Sequence, residues 1–209
     1  MIYEMRTYDL KPRSLPEVLK RFGEGYEKRK KFSPLAAFWY TEIGPLNQIV
    51  HVWPYKDLEE RGRVRAAAVA GGDWPPKIAE FIVSMRAEIM VPWENSPLLE
   101  PGEVGPYFEM RTYTLSPGDQ PKVQKTWARA LEARLKISPI SAMWFSELGG
   151  LNKFVHIWPY RSLDARTEAR QKALASGNWP PSPAPGDAPY NTLAQENKIL
   201  LAAPFSPLR

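Results

Sequence analysis

The 209-residue chain contains no cysteine and only two histidines. Without thiols there is no disulfide framework, cysteine-type zinc site, iron–sulfur cluster or thiol nucleophile, and a reducing compartment is permitted. One histidine per half, with no HExxH or H-x-E-x-H spacing, gives no basis for a metal site. Phosphate loops of the GxGxxG and GxxxxGK[ST] kinds are missing, as is a G-x-S-x-G elbow, so neither nucleotide binding nor a serine hydrolase is expected. No apolar run approaches the roughly 18 residues of a membrane span. The opening MIYEMRTY has neither a basic nor an apolar leader, so a cytoplasmic protein is expected. A strong charge of one sign is also lacking. The 28 basic and 23 acidic side chains leave a net +5, too weak a bias to point to nucleic acid.

Aromatic and apolar residues are plentiful, at 12% and 44% of the chain, enough to bury a core. The main feature is a repeat. Residues 4–76 overlay residues 109–181 at a constant offset of 105, without a gap and with 35 of 73 positions identical. EMRTY stands at Glu4 to Tyr8 and again at Glu109 to Tyr113. Trp39 to Tyr55 matches Trp144 to Tyr160, sharing W..E.G.LN..VH.WPY, and Trp-Pro-Pro follows at Trp74 and Trp179. After an extra Pro-rich stretch in the second copy, Ser-Pro-Leu closes both copies at Ser96 and Ser206. A period this long suits two homologous domains, 1–100 and 101–209, joined around the Pro/Gly segment 96–106.

Within one copy, Tyr3 to Leu10 reads as a strand stopped by Pro12. Ser14-Leu-Pro-Glu17 has the capping-box pattern, and Leu15, Val18, Leu19, Phe22 and Tyr26 recur at helical spacing. The run Glu27-Lys28-Arg29-Lys30-Lys31 then places cations at a helix C-terminus, where they favourably face the helix dipole, in preference to forming an anionic-partner site. Ala37 to Ile43 and Asn47 to Trp53 flank Gly44-Pro45, or Gly149-Gly150 in the second copy, as expected of a hairpin with a two-residue turn. A short helix begins near Asp57 or Ser162, and Ile82 to Val91 or Asn197 to Ala202 supplies the last strand. The order β-α-β-β-α-β is that of a ferredoxin-like unit in an α+β fold, with both helices on one face of an antiparallel sheet. Two such repeats can cover each other's open faces as a pseudo-dimer of the dimeric α/β-barrel type, enclosing a cavity between the sheets; otherwise each half pairs with another chain.

Hairpin pairs summing to 89 put Phe38 opposite His51 and Glu42 opposite Asn47, all on one face. The compact pair Val50/Val52 lies on the other face and suits packing beneath helices. The Glu/Asn/His/Trp face, with Glu4, Arg6 and Tyr8 of the first strand, is therefore expected to point into the cavity. This gives His51 and His156 as candidate general bases and Arg6 and Arg111 as candidate clamps for a carboxylate or enolate. Tyr8, Tyr113, Trp53 and Trp158 would be stacking walls, with Asn47, Asn152, Glu42 and Glu147 as further ligand contacts. Each has a structural alternative: a hydrogen-bonded core histidine, an Arg6–Glu4 ion pair, a turn-capping glutamate, or packing tryptophans. Glu42 and His51 lie about four strand steps apart, roughly 13 Å, too far to act as a dyad.

EMRTY at the head of each copy, the G.LN..VH.WPY block and the closing SPL together resemble the NIPSNAP family, over nearly the whole chain and twice. The resemblance implies a dimeric α/β-barrel type of ferredoxin-like unit, related in architecture to antibiotic-biosynthesis monooxygenases, chlorite dismutases and haem-degrading enzymes. Animal members are similar to mitochondrial proteins linked to vesicle traffic and mitophagy signalling, although this chain shows no targeting leader. The resemblance carries over no catalytic residue, so function rests on the residues above. One reading is the binding or transformation of a small aromatic or carbonyl compound in the barrel cavity, with no cofactor expected and haem on His51 or His156 as a lesser alternative. The other is a non-catalytic scaffold or interaction module with a filled, dry interior. A homo-oligomer is expected in either case.

Overall fold

The computed structural model describes residues 1–72 and 74–209. The first repeat builds β1 (Ile2–Leu10), α1 (Leu15–Arg29), β2 (Ala37–Ile43), β3 (Gln48–Tyr55), α2 (Leu58–Ala70) and β4 (Ile82–Pro92), with a 3-10 turn at Ala79–Phe81 before the last strand. The second builds β5 (Tyr107–Leu115), α3 (Gln120–Leu135), β6 (Ala142–Leu148), β7 (Lys153–Tyr160), α4 (Leu163–Ala175) and β8 (Thr192–Ala202). All strand pairs are antiparallel, and the sheet closes on itself in the order β1-β3-β2-β8-β5-β7-β6-β4. Each repeat thus contributes a ferredoxin-like four-stranded sheet, and the seams β2–β8 and β4–β6 join the two within one chain. No second copy is needed to close this barrel.

Local chemistry explains some of the element ends. Asp57 accepts a hydrogen bond from the Glu60 amide (2.9 Å) and Ser162 from that of Ala165 (3.0 Å), capping α2 and α4. The capping box expected at α1 does not form. The Ser14 hydroxyl donates to the Lys11 carbonyl at 2.7 Å, and Glu17 instead takes Arg21 at 2.7 Å. Pro16 brings no N–H to that first turn, so one fewer donor needs a cap. The hairpin pairs do sum to 89 from Ala37–Val52 to Tyr40–Ile49, but there the pairing stops. Residues 44–47 form a longer turn, with Gly44 at φ +122° and Asn47 at φ +54°, a left-handed conformation that Asn tolerates. Glu42 and Asn47 therefore do not pair.

The larger correction concerns the two faces of the sheet. Val50 and Val52 point into the barrel with Tyr3, Met5, Trp39 and Met90, where they meet Phe108, Met110, Trp144, Val155 and Ile157 of the second repeat. Tyr3 stacks on Trp144 with ring centroids 4.9 Å apart, and Trp39 meets Phe108 at 5.2 Å. Small β-branched residues set against large rings fill the interior of an eight-stranded barrel, leaving a packed core there. The opposite face, carrying Tyr8, Phe38, His51 and Trp53, lies under the helices beside Val18, Phe22 and Val64. The expectation that His51 and its neighbours line a cavity between the sheets is thereby overturned. The physical reason is charge: Glu4 shares their face and needs cations, which Arg61 and Arg65 of α2 supply.

One end of the barrel is polar. The Gln48 amide donates to Asp9 (2.6 Å) and accepts from Lys198 (2.6 Å), while Glu88 pairs with Lys153. Burial, with Arg86 nearby, pushes the Lys198 amine down to about 8, against the opposing pull of Glu196, Glu88 and Asp9. An unfolded lysine titrates near 10.5, so between these values the unfolded chain binds the proton that the folded chain has released, and stability rises with pH. Chemical denaturation at pH 8, 8.5 and 9, below the range where tyrosines titrate, should show this rise in the wild type and a flatter profile in Lys198→Met. Equal slopes would contradict it.

Candidate functional site

The site is built on β1 and β3 and roofed by the helices. Glu4 is completely buried, and burial by itself would raise its carboxyl. Hydrogen bonding to Arg61 and the charges of Arg65 and Arg6 override this and hold it below the usual carboxylate range. The contacts are 2.8 Å from Arg6, 2.6 Å from Arg61 and 3.3 Å from Arg65 to each oxygen. The α2 arginines lie four residues apart, one turn, so both reach the same sheet position. Arg6 also donates through Nε to the Tyr8 hydroxyl at 2.7 Å. Burial raises the phenol's pKa, so it keeps its proton and retains a hydrogen to donate.

His51 pairs with Arg6 across the β1–β3 ladder and is 1% exposed. Its Nδ1 accepts the indole N–H of Trp53 at 2.7 Å. Because an indole only donates, Nδ1 must be the unprotonated nitrogen, and the neutral ring carries its hydrogen on Nε2. That Nε2 is buried and without a partner. Burial first, then the charges of Arg6 and Arg65, push the imidazolium pKa well below its ordinary value. His51 is thus a neutral N–H donor, unsuited to the general-base role, whose lone pair is already engaged. The same bond leaves no lone pair on Nε2 for an axial haem ligand.

Arg29 completes the set. It sits in the last turn of α1 yet is only 2% exposed, with its guanidinium 4.6 Å from the Trp53 ring and 5.8 Å from Trp74. It donates to Ser33 (2.8 Å) and Tyr55 (3.2 Å), its Nε has no partner, and among the described residues no carboxylate lies within ion-pair distance. Burial lowers its pKa, against the opposing pull of Tyr55. Arg29 thus stands at the α1 C-terminus as the sequence suggests, but it is buried against the tryptophans. Arg6, Tyr8, Arg29, His51, Trp53 and Arg65 all line one cavity of about 240 Å³, closed on one side by Trp74 and Pro75. The second repeat holds a counterpart of about 190 Å³ with Arg111, Tyr113, Arg134, His156, Trp158 and Arg170. There Trp158 donates to His156 Nδ1 at 2.6 Å, His156 Nε2 is again unpartnered, and Arg134 stacks 4.1 Å from Trp158.

A model of the NIPSNAP family matches residues 3–97 and 108–207. The chain belongs to the NIPSNAP family. Human NipSnap homolog 3A is 30% identical over 220 residues, covering 100% of this chain and 86% of its own length. A NIPSNAP-like domain protein from Burkholderia xenovorans is 40% identical, covering 46% of this chain and 88% of that one, with a TM-score of 0.44. An anthrone oxidase-like protein superposes on 96% of this chain and 90% of its own, with a TM-score of 0.58 at 9% identity, a likeness of fold alone.

In this NIPSNAP chain the residues singled out from sequence divide into two groups. Arg6, Tyr8, His51 and Trp53 meet in one cavity, as do Arg111, Tyr113, His156 and Trp158 in the other. Glu42 and Glu147 are exposed, and Asn47 and Asn152 sit in the hairpin turns with positive φ, so these four stand apart from both cavities. Sequence reasoning missed Arg29, Arg61 and Arg65 with their partners Arg134, Arg166 and Arg170. The six form three identical pairs at the offset of 105, and that identity on otherwise divergent helices was the available signal. No group of three or more potential metal ligands occurs among the described residues, and none of their helices is long and apolar enough to cross a membrane.

The histidine assignment predicts that both imidazoles stay neutral, as the Nε2–H tautomer, from pH 8 down to pH 5. Nitrogen-15 imidazole shifts report this directly. Ordinary titration near 6.5 would contradict the assignment.

Proposed function

We propose that each repeat carries a binding pocket for a small organic anion, a carboxylate or enolate on an aromatic or apolar frame, held between the sheet and its helices. The observation that carries this reading is a buried arginine without a carboxylate partner, Arg29 or Arg134, sharing a cavity with the unpartnered Nε2–H of His51 or His156. A buried guanidinium with no carboxylate in direct contact is costly; the more distant Glu4 or Glu109 charge offsets part of that cost, and an anionic ligand offsets more. The geometry supports binding and polarisation of an oxygen through several donors, with aromatic walls for the rest of the molecule. It offers little for proton abstraction: Glu4 is committed to three guanidiniums and His51 Nδ1 to Trp53. The scaffold reading accounts for the packed barrel interior but not for two cavities lined with unsatisfied donors.

Titration calorimetry with benzoate tests the proposal. The wild type should bind it, and the Arg29→Met, Arg134→Met double variant should lose at least about 30-fold in affinity, as expected for removal of one member of a buried charge pair. The same double variant, free of ligand, should be as stable as the wild type or more so, since replacing a buried charge by an apolar side chain of similar volume is commonly neutral or stabilising by about 1–4 kcal/mol. Unaltered benzoate affinity, or a loss of stability of about 3 kcal/mol or more, would assign these arginines to the framework alone.

A further inference from the structure

The two pockets share their inner ends but differ at their mouths, and the strand ladders define the differences. Met85 pairs with Tyr8 and Gln195 with Tyr113, so Gln195 takes the place of Met85. Ile82 pairs with Leu10 and Thr192 with Leu115, so Thr192 takes the place of Ile82. The outer wall of the first pocket is accordingly apolar, formed by Val69, Ile78, Ala79, Ile82 and Met85, and it runs out to the surface, where Val69 is 57% and Met85 51% exposed. In the second pocket Gln195 interrupts that wall.

The charges differ too. Glu4 does not line the first pocket, and Arg65 contacts both of its oxygens. Glu109 does line the second pocket, its Oε2 has no hydrogen-bond partner, and Arg170 stands 3.8 Å from its other oxygen. A bare carboxylate oxygen beside the site weakens its attraction for an anion. Size acts in the same direction: the larger Trp127 stands at the position of Phe22, packed 4.8 Å from both His156 and Trp179, and the second cavity is the smaller.

We propose that the repeats have diverged in ligand, and that the first pocket is the site for an amphipathic carboxylate, an acid with an apolar chain or aryl tail, which the second pocket rejects. This rests on the reading of the pockets as anion sites. The acidic head lies among Arg6, Arg29, Arg65 and His51, and the tail follows the Ile78–Ile82–Met85 wall outward. Met85 and Ile82 are the residues that set specificity.

Calorimetry with 4-phenylbutyrate and benzoate separates the two levels of the argument. The wild type should bind one 4-phenylbutyrate per chain. Met85→Gln, at an exposed position where folding is not at stake, should weaken 4-phenylbutyrate by about 10-fold, the scale of a lost apolar contact, with a smaller effect on benzoate. The reciprocal Thr192→Ile, Gln195→Met change should add a second 4-phenylbutyrate binding event. Two equal 4-phenylbutyrate sites in the wild type, or no effect of Met85→Gln, would overturn the divergence while leaving the anion reading in place. Failure of both acids to bind would overturn the anion reading, and this inference with it.

Discussion

A carboxylate with no access to water needs cations, and the position of Glu4 and Glu109 on the first strand of each repeat decides where those cations must come from. Arg6 or Arg111, two residues along the same strand, supplies one. The second helix of the repeat supplies the others, Arg61 and Arg65 or Arg166 and Arg170. Their approach ties that helix to the sheet and sets the polar face of each sheet outward, beneath its own helices. The barrel interior is then free to close as an apolar core shared by the two repeats.

The same arrangement leaves an excess of positive charge. One carboxylate answers three guanidiniums, and a fourth, Arg29 or Arg134, is buried nearby with only hydroxyl partners and indole faces. Histidine adds to the donors, because the tryptophan two residues along its strand occupies its only acceptor. Two residues on one strand thus convert a potential base into a fixed hydrogen-bond donor. Evolution by duplication kept this constellation twice while changing the walls around it, so the conserved and varied parts of the pocket can be read within a single chain.

Much of the architecture was legible in the sequence because it depends on periodicity and repetition. The ungapped offset of 105 defined the two units, and the hairpin register held through Phe38–His51 and Met143–His156. The convergence of Arg6, His51 and Trp53 followed from strand parity. The direction of that face did not, because β-branched residues pack as well against lumenal tryptophans as beneath helices, and local pattern cannot tell Val50 in one setting from Val50 in the other. Arg29 was obscured by its neighbours: in a run of cations, the one buried on the helix's inner face looks like the rest. Arg61 and Arg65 lie on a helix whose apolar stripe amounts to Val64 and Ala68, so its orientation could be read only from the sheet it covers.

The central claim is that ligand is held between sheet and helices rather than inside the barrel. A crystal structure of the protein with 4-phenylbutyrate tests it most directly. The account predicts the carboxylate within hydrogen-bond distance of the Arg29 guanidinium and His51 Nε2, with the tail toward Met85. Density for the acid in the barrel interior, or at the polar barrel mouth beside Lys198, would contradict it.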